Sequence, residues 1–183
     1  MRTLPLVGVI LSSFSFLAGA AHAEEPVPPR SHLFVGAGYL ATKTTKESGT
    51  GATAELGYDF GLTPSSRVGL LVDASIDYAG YGADADALTW VEVGGRYTHL
   101  FRLAQAPTLT PFLSGGLSVG KEGGELGNRS YFTSLMLDAG IEWAPIRNFA
   151  LDARLTERPA RMSLPGTSWH NTAGVVVDFA ALF

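Results

Sequence analysis

From Gly51 to Phe60 the chain reads GATAELGYDF, and every second residue, Ala52, Ala54, Leu56, Tyr58 and Phe60, is apolar. Between them stand Thr53, Glu55, Gly57 and Asp59. A period of two belongs to an extended strand, whose side chains alternate between faces, and not to a helix of period 3.6. The same pattern returns over Arg67 to Ala79, where Val68, Leu70, Val72, Ala74, Ile76 and Tyr78 alternate with Asp73, Ser75 and Asp77. It returns again over Ala87–Leu103, Thr108–Gly120, Tyr131–Ala144, Arg147–Glu157 and His170–Phe183, and it opens over Leu33–Thr42. Turn residues separate the segments, so the chain is predicted to be all-β, an eight-stranded antiparallel up-and-down barrel.

Periodicity alone does not say which face looks inward. The charges decide it. Glu55, Asp59, Asp73, Asp77, Glu92, Arg96, Asp138, Glu142, Asp152, Arg154 and Asp178 all fall on one side of their strands, and the other side is almost uncharged. A soluble barrel turns polar residues outward and fills its interior with apolar ones. Here that would leave an apolar belt in water, so the apolar face is expected to meet lipid and the charged face to line a lumen. Eight strands leave a bore that side chains can fill. The lumen set is therefore read as a polar network, with each arginine bridging carboxylates on adjacent strands.

The connections sort into two kinds, as a transmembrane barrel with periplasmic termini requires. Gly61–Ser66, the stretch around Ala104–Pro107 and Pro145–Asn148 are short, whereas Lys43–Thr50, Gly80–Asp86, Lys121–Ser130 and Arg158–Trp169 are longer and polar or glycine-rich. Tyr58, Phe60, Tyr97, Phe101, Trp143, Phe149, Phe179 and Phe183 collect at the short-turn end, and Tyr78, Tyr131 and Trp169 at the loop end. Two aromatic belts suit two lipid–water interfaces.

Residues 1–23 read as a signal peptide: Arg2, an apolar core from Leu4 to Ala18, and the Ala21-His22-Ala23 cleavage site. Residues 24–32 form a proline-rich periplasmic tether, and 33–183 the barrel. After the leader no apolar run reaches the ~20 residues a membrane helix needs, so a membrane form must be a closed barrel. The absence of cysteine excludes disulfides and thiolate chemistry in an exported chain. With 17 Asp+Glu against 13 Lys+Arg and no basic stretch, nucleic-acid binding is not expected.

The lead-in and strand PTLTPFLSGGLSVG, the hairpin LDAGIEWAPIRNFALDARLTER and the closing HNTAGVVVDFAALF together resemble the small bacterial outer-membrane β-barrels. The likeness is to the OmpA/OmpX/OmpW type and the porin-like outer membrane β-barrel domain group, and it covers roughly the whole chain after the leader. It implies a monomeric multi-pass barrel in a Gram-negative outer membrane, in contact with lipid and lipopolysaccharide. It also implies recognition by the barrel-assembly machinery, with Phe179 and the terminal Phe183 as the assembly signal. The role it implies is structural or surface-interactive, covering envelope integrity and adhesion to a host or surface ligand through the loops. A narrow solute channel is the alternative, and a lipid A-modifying enzyme the second.

The enzyme alternative asks for a rim histidine with a serine and an orienting carboxylate. After the leader the histidines are His32 in the tether, His99 toward the periplasmic side, and His170, which alone lies near Ser168 and Glu157. No His-Ser dipeptide precedes it on strand 7, and no catalytic residues are assigned. Arg158 and Arg161, beside Trp169 in the fourth loop, are candidates for lipopolysaccharide phosphates, which guanidinium groups bind bidentately. Gly123, Gly124 and Gly127 lack the spacing and strand–helix context of a phosphate loop. No His/Asp/Glu group has metal-ligand spacing in sequence, and no cofactor is expected.

Overall fold

The computed structural model describes residues 29–44, 48–79, 86–123, 129–164 and 169–183. The predicted leader, most of the predicted tether and the tips of the four long connections lie outside these residues. Eight strands follow in order: β1 His32–Thr44, β2 Ser48–Thr63, β3 Ser66–Ala79, β4 Asp86–Leu100, β5 Leu109–Gly123, β6 Arg129–Ile146, β7 Phe149–Leu164 and β8 Trp169–Leu182. Each pairs antiparallel with its neighbour in sequence, and β1 pairs with β8 to close the barrel. Closure runs one residue past the strands: the Ser31 N–H donates to the Phe183 carbonyl at 3.3 Å, and the Phe183 N–H to the Ser31 carbonyl at 3.1 Å.

The short turns have local causes. Pro64 and Ser65 turn β2 into β3, where proline's fixed φ suits the first corner. The Thr63 hydroxyl accepts from the Ser65 N–H at 3.2 Å and shares a hydrogen bond with the Ser66 hydroxyl at 2.6 Å. Arg147 and Asn148 make the turn from β6 to β7.

The strands run from 13 residues in β1 to 18 in β6, longer than the roughly 9–11 that cross a bilayer. The excess lies at the loop end, where Lys121–Gly123, Arg129–Ser130 and Arg158–Leu164 are paired strand and not loop. Backbone pairing continues beyond the hydrocarbon, whatever the polarity of the side chains. Toward the loop end an irregularity interrupts it. The register slips between Thr133 and Leu137 of β6 and between Arg158 and Arg161 of β7, around Pro159, which has no N–H for the ladder.

Facing follows the alternation. Val35, Leu56, Leu70, Val72, Val91, Val93, Leu117, Val119, Leu135, Leu137, Leu155, Val175 and Phe179 are exposed around the outside. Buried charge fills the inside, along with two apolar clusters. Phe34, Leu71, Met136, Ala150, Ala180 and Leu182 form one; Leu40, Trp90 and Phe132 form the other. An apolar surface on every strand is stable only against lipid, so this barrel spans a membrane.

Candidate functional site

The barrel interior is where this chain concentrates its chemistry. Strand register alone puts carboxylates side by side. Glu142 faces Asp152, Asp152 faces Asp178, and Asp178 faces Gly36; Gly36 faces Glu55, Glu55 faces Asp73, and Asp73 faces Glu92. Six acids thus occupy one continuous row. It continues through Gly120 to Phe132, back on β6 but ten residues from Glu142, which is the stagger that closes a tilted barrel. Like charges directly opposite destabilise a sheet. The row demands cations from other levels of the bore.

Four arginines supply them. Arg154 on β7 is ion-paired with Glu55 and Asp178 and lies 3.8 Å from Asp138. Arg96 on β4 grips both oxygens of Asp59, at 3.2 and 2.9 Å, and its guanidinium lies 4.4 Å above the Phe34 ring. Arg67 on β3 holds Glu142 with two bonds of 2.6 and 3.3 Å. Arg158 donates to Asp138 at 3.1 Å and approaches Glu92 at 3.5 Å. Asp138 therefore joins three arginines, since Arg96 also stands 4.0 Å away. Hydroxyls complete the set: Ser75 and Thr53 bond Asp73, and Ser118 and Ser134 bond the Glu92 oxygen that Arg158 does not approach.

Glycines make the row possible. A Cβ on Gly36 would lie 1.7 Å from Asp178 Oδ1, and one on Gly69 would lie 1.8 Å from Asp59 Oδ1. Each stands where a carboxylate crosses the bore. A cavity of about 10 Å³ remains among Glu55, Asp73, Glu92, Thr156, Arg158 and Trp90, room for about one water.

Of the eleven charged residues assigned to the lumen from the sequence, ten are buried inside the barrel: Glu55, Asp59, Asp73, Glu92, Arg96, Asp138, Glu142, Asp152, Arg154 and Asp178. Asp77 lies on β3 opposite Gly51 and Leu88, and its side chain is outside the described residues. Phe179 and Phe183 face outward at the closing seam. Three members of the network escaped the sequence reading. His32, placed in the tether, is the first residue of β1 and 1% exposed. Arg67, the second residue of β3, lines the lumen, as does Arg158, expected in the fourth loop. Arg158 is not a loop residue available to lipopolysaccharide: it lies in β7, is 5% exposed and points into the bore toward Asp138. All three share the inward parity of their strands, which is the signal that would have found them.

Arg161 pairs through its backbone with His170, and the side chains of both lie outside the described residues, as does Ser168. Glu157, the third member of that candidate constellation, is partly exposed on β7. The sequence shows no metal-ligand spacing, but folding brings His32, Glu142 and Asp152 together, with ligand atoms all within 4.8 Å of one another.

The architecture has clear counterparts among solved structures. Neisserial surface protein A matches with a TM-score of 0.68 at 18% identity, covering 84% of this chain and 97% of that one. The chain has the fold of the small outer-membrane barrels. Ail, the attachment invasion locus protein of Yersinia pestis, solved with the heparin analogue sucrose octasulfate, matches at 0.55 and 15% identity, over 86% of this chain and all of Ail. The outer membrane enzyme PagL matches at 0.52 and 16%, over 80% of this chain and 97% of PagL. No family model and no curated protein matches the chain. Fold and lipid-facing surface together make this an integral outer-membrane β-barrel. The fold is shared by barrels of more than one role.

Proposed function

We propose that this barrel is a structural and surface-interacting component of the outer membrane, which holds its place in lipid and meets its partners through the loops. One observation carries the reading: the bore is occupied by an ion-pair network together with two apolar clusters. Conduction needs water along the axis, and buried arginines clamped between carboxylates on different strands oppose it. Breaking such pairs strands a buried charge, which costs about 3–5 kcal/mol. The loops and rim then remain as the surface for contact, with lipopolysaccharide, lipid and a host or surface ligand as partners. The solved likeness to Ail with a heparin analogue is a precedent for contact of that kind on this fold.

Assembly belongs to the same reading. Phe183, backbone-paired to Ser31 at the seam, and Phe179, two residues before it, would serve as the signal for the barrel-assembly machinery. Planar-bilayer recordings of the purified protein test the proposal, alongside mass spectrometry of lipid A from cells with and without it. A silent barrel and unchanged lipid A are expected, together with reduced surface adhesion or detergent resistance in cells lacking it. Steady single-channel conductance would favour the channel reading, and altered lipid A acylation the enzymatic one.

A further inference from the structure

At the periplasmic end of the bore, Glu142 and Asp152 face each other directly across β6 and β7. Two carboxylates in that relation repel unless a cation lies between them. Arg67 takes Glu142, and Arg96 takes the nearby Asp59. Asp152 is left short: among the described residues its ion-pair contact is His32, at 3.6 Å, and its Oδ1 has no hydrogen-bond partner. Into this gap β1 sends the buried His32 ring. Its Nε2 also lacks a hydrogen bond and lies 3.7 Å from Glu142 Oε2 and 3.6 Å from Asp152 Oδ2.

We propose that His32, Glu142 and Asp152 bind a divalent transition-metal ion of the Zn²⁺ class inside the barrel. Three features carry this. The separations are those of ligands and not of hydrogen bonds. An ion about 2.1 Å from two atoms 3.6–3.7 Å apart subtends about 120°, within the range zinc accepts. The remaining carboxylate pair, within 4.8 Å, needs a rotamer adjustment of under about 1 Å to reach the same ion. The ring is held from its far side: Nδ1 lies 3.5 Å from Arg67 Nη1 and 3.7 Å from Asp59 Oδ2, and the tautomer that carries its proton on Nδ1, toward Asp59, leaves the Nε2 lone pair for the ion. The donor set, one imidazole and two carboxylates, suits zinc and its first-row neighbours over magnesium, which prefers oxygen and keeps its waters. Arg67 keeps its hold on Glu142 and steadies the carboxylate.

The test uses protein purified from outer membranes in detergent, stripped with chelator and titrated with ZnCl₂. Calorimetry and elemental analysis should give one zinc per chain, and zinc should raise the unfolding temperature where equal MgCl₂ does not. His32→Ala and Asp152→Asn should each weaken binding at least tenfold while keeping heat-modifiable migration in gels. His99→Ala and His170→Ala should bind as wild type. Zinc binding that survives His32→Ala, or is lost on His170→Ala, would place the ion elsewhere and overturn the proposal, as would wild-type protein that takes up none. Should His32→Ala fail to fold, nitrogen NMR of the wild-type His32 ring decides: zinc must shift the Nε2 resonance, and an unmoved resonance overturns the site.

Discussion

Gly36 shows how single residues set the bore. Its missing side chain is the space that Asp178 Oδ1 fills, and the Val177 carbonyl closes the other side at 3.1 Å. Gly36→Ala is expected to cost about 1–3 kcal/mol, the usual range for overpacking a filled interior. Gly95, on the lipid side of β4, would place a Cβ no nearer than 3.8 Å to any neighbour, and Gly95→Ala should be close to neutral. Urea unfolding of the barrel in detergent separates the two; equal midpoints would mean the bore is looser than these contacts imply. Arg154→Met is the stronger perturbation. It leaves Glu55 and Asp178 facing each other without their shared cation, and should cost about 3–5 kcal/mol. Ten of the lumen charges could be read from parity, because Asp and Glu on an alternating strand stand out against valine and leucine. His32, Arg67 and Arg158 obey the same parity but sit beside proline, serine or the predicted loop. There composition suggests tether or loop, and only cross-strand pairing reveals the strand.

At the scale of the element, lipid enforces the facing that the ion pairs exploit. Val72 on β3 faces Val93 on β4 across the outer surface, so an arginine there stands in hydrocarbon. Val72→Arg and Leu137→Arg should each lose about 2–4 kcal/mol near the midplane and assemble poorly, read as the folded fraction in unboiled gels. Ser134→Arg lies on the inner face, where its hydroxyl bonds Ser118 and Glu92. Its defect should come from crowding, so Ser134→Ala should be mild while Val72→Ala stays near wild type. If Val72→Arg and Leu137→Arg assemble normally, the inside and outside of the barrel are exchanged. Strand existence was legible in every segment, and the outer strand ends were not. Polar residues such as Lys121 and Arg129 read as loop, yet their backbones pair, since above the hydrocarbon a ladder hydrogen bond is indifferent to what the side chain meets. The slip around Pro159 was unreadable for a different reason. A proline marks a missing donor, but which neighbour absorbs the extra residue is settled by both flanking registers at once.

The molecule as a whole is defined by closure, which no single strand contains. Phe183 is 69% exposed, so its ring meets lipid at the interface and adds little to the interior. Its backbone, however, makes two hydrogen bonds with Ser31 that extend the β1–β8 seam. Deleting it should remove roughly 0.5–1.5 kcal/mol for each of those bonds, a modest loss for a barrel closed along all of β1 and β8. The purified variant should therefore still refold in detergent and migrate anomalously until boiled. Biogenesis should respond differently if the terminal aromatic is also read in the cell, because recognition precedes closure and depends on the ring and not on the seam. Phe183→Tyr keeps both ring and backbone and should reach the membrane nearly as wild type. Phe183→Asp keeps only the backbone, and should refold in detergent yet accumulate unfolded in the periplasm. Surface levels and refolding yields, measured on the same three variants, separate the two roles. Loss of refolding in proportion to loss of surface protein would assign Phe183 to the seam alone, whereas a surface defect without a refolding defect makes it the residue by which the chain is recognised before it becomes a barrel.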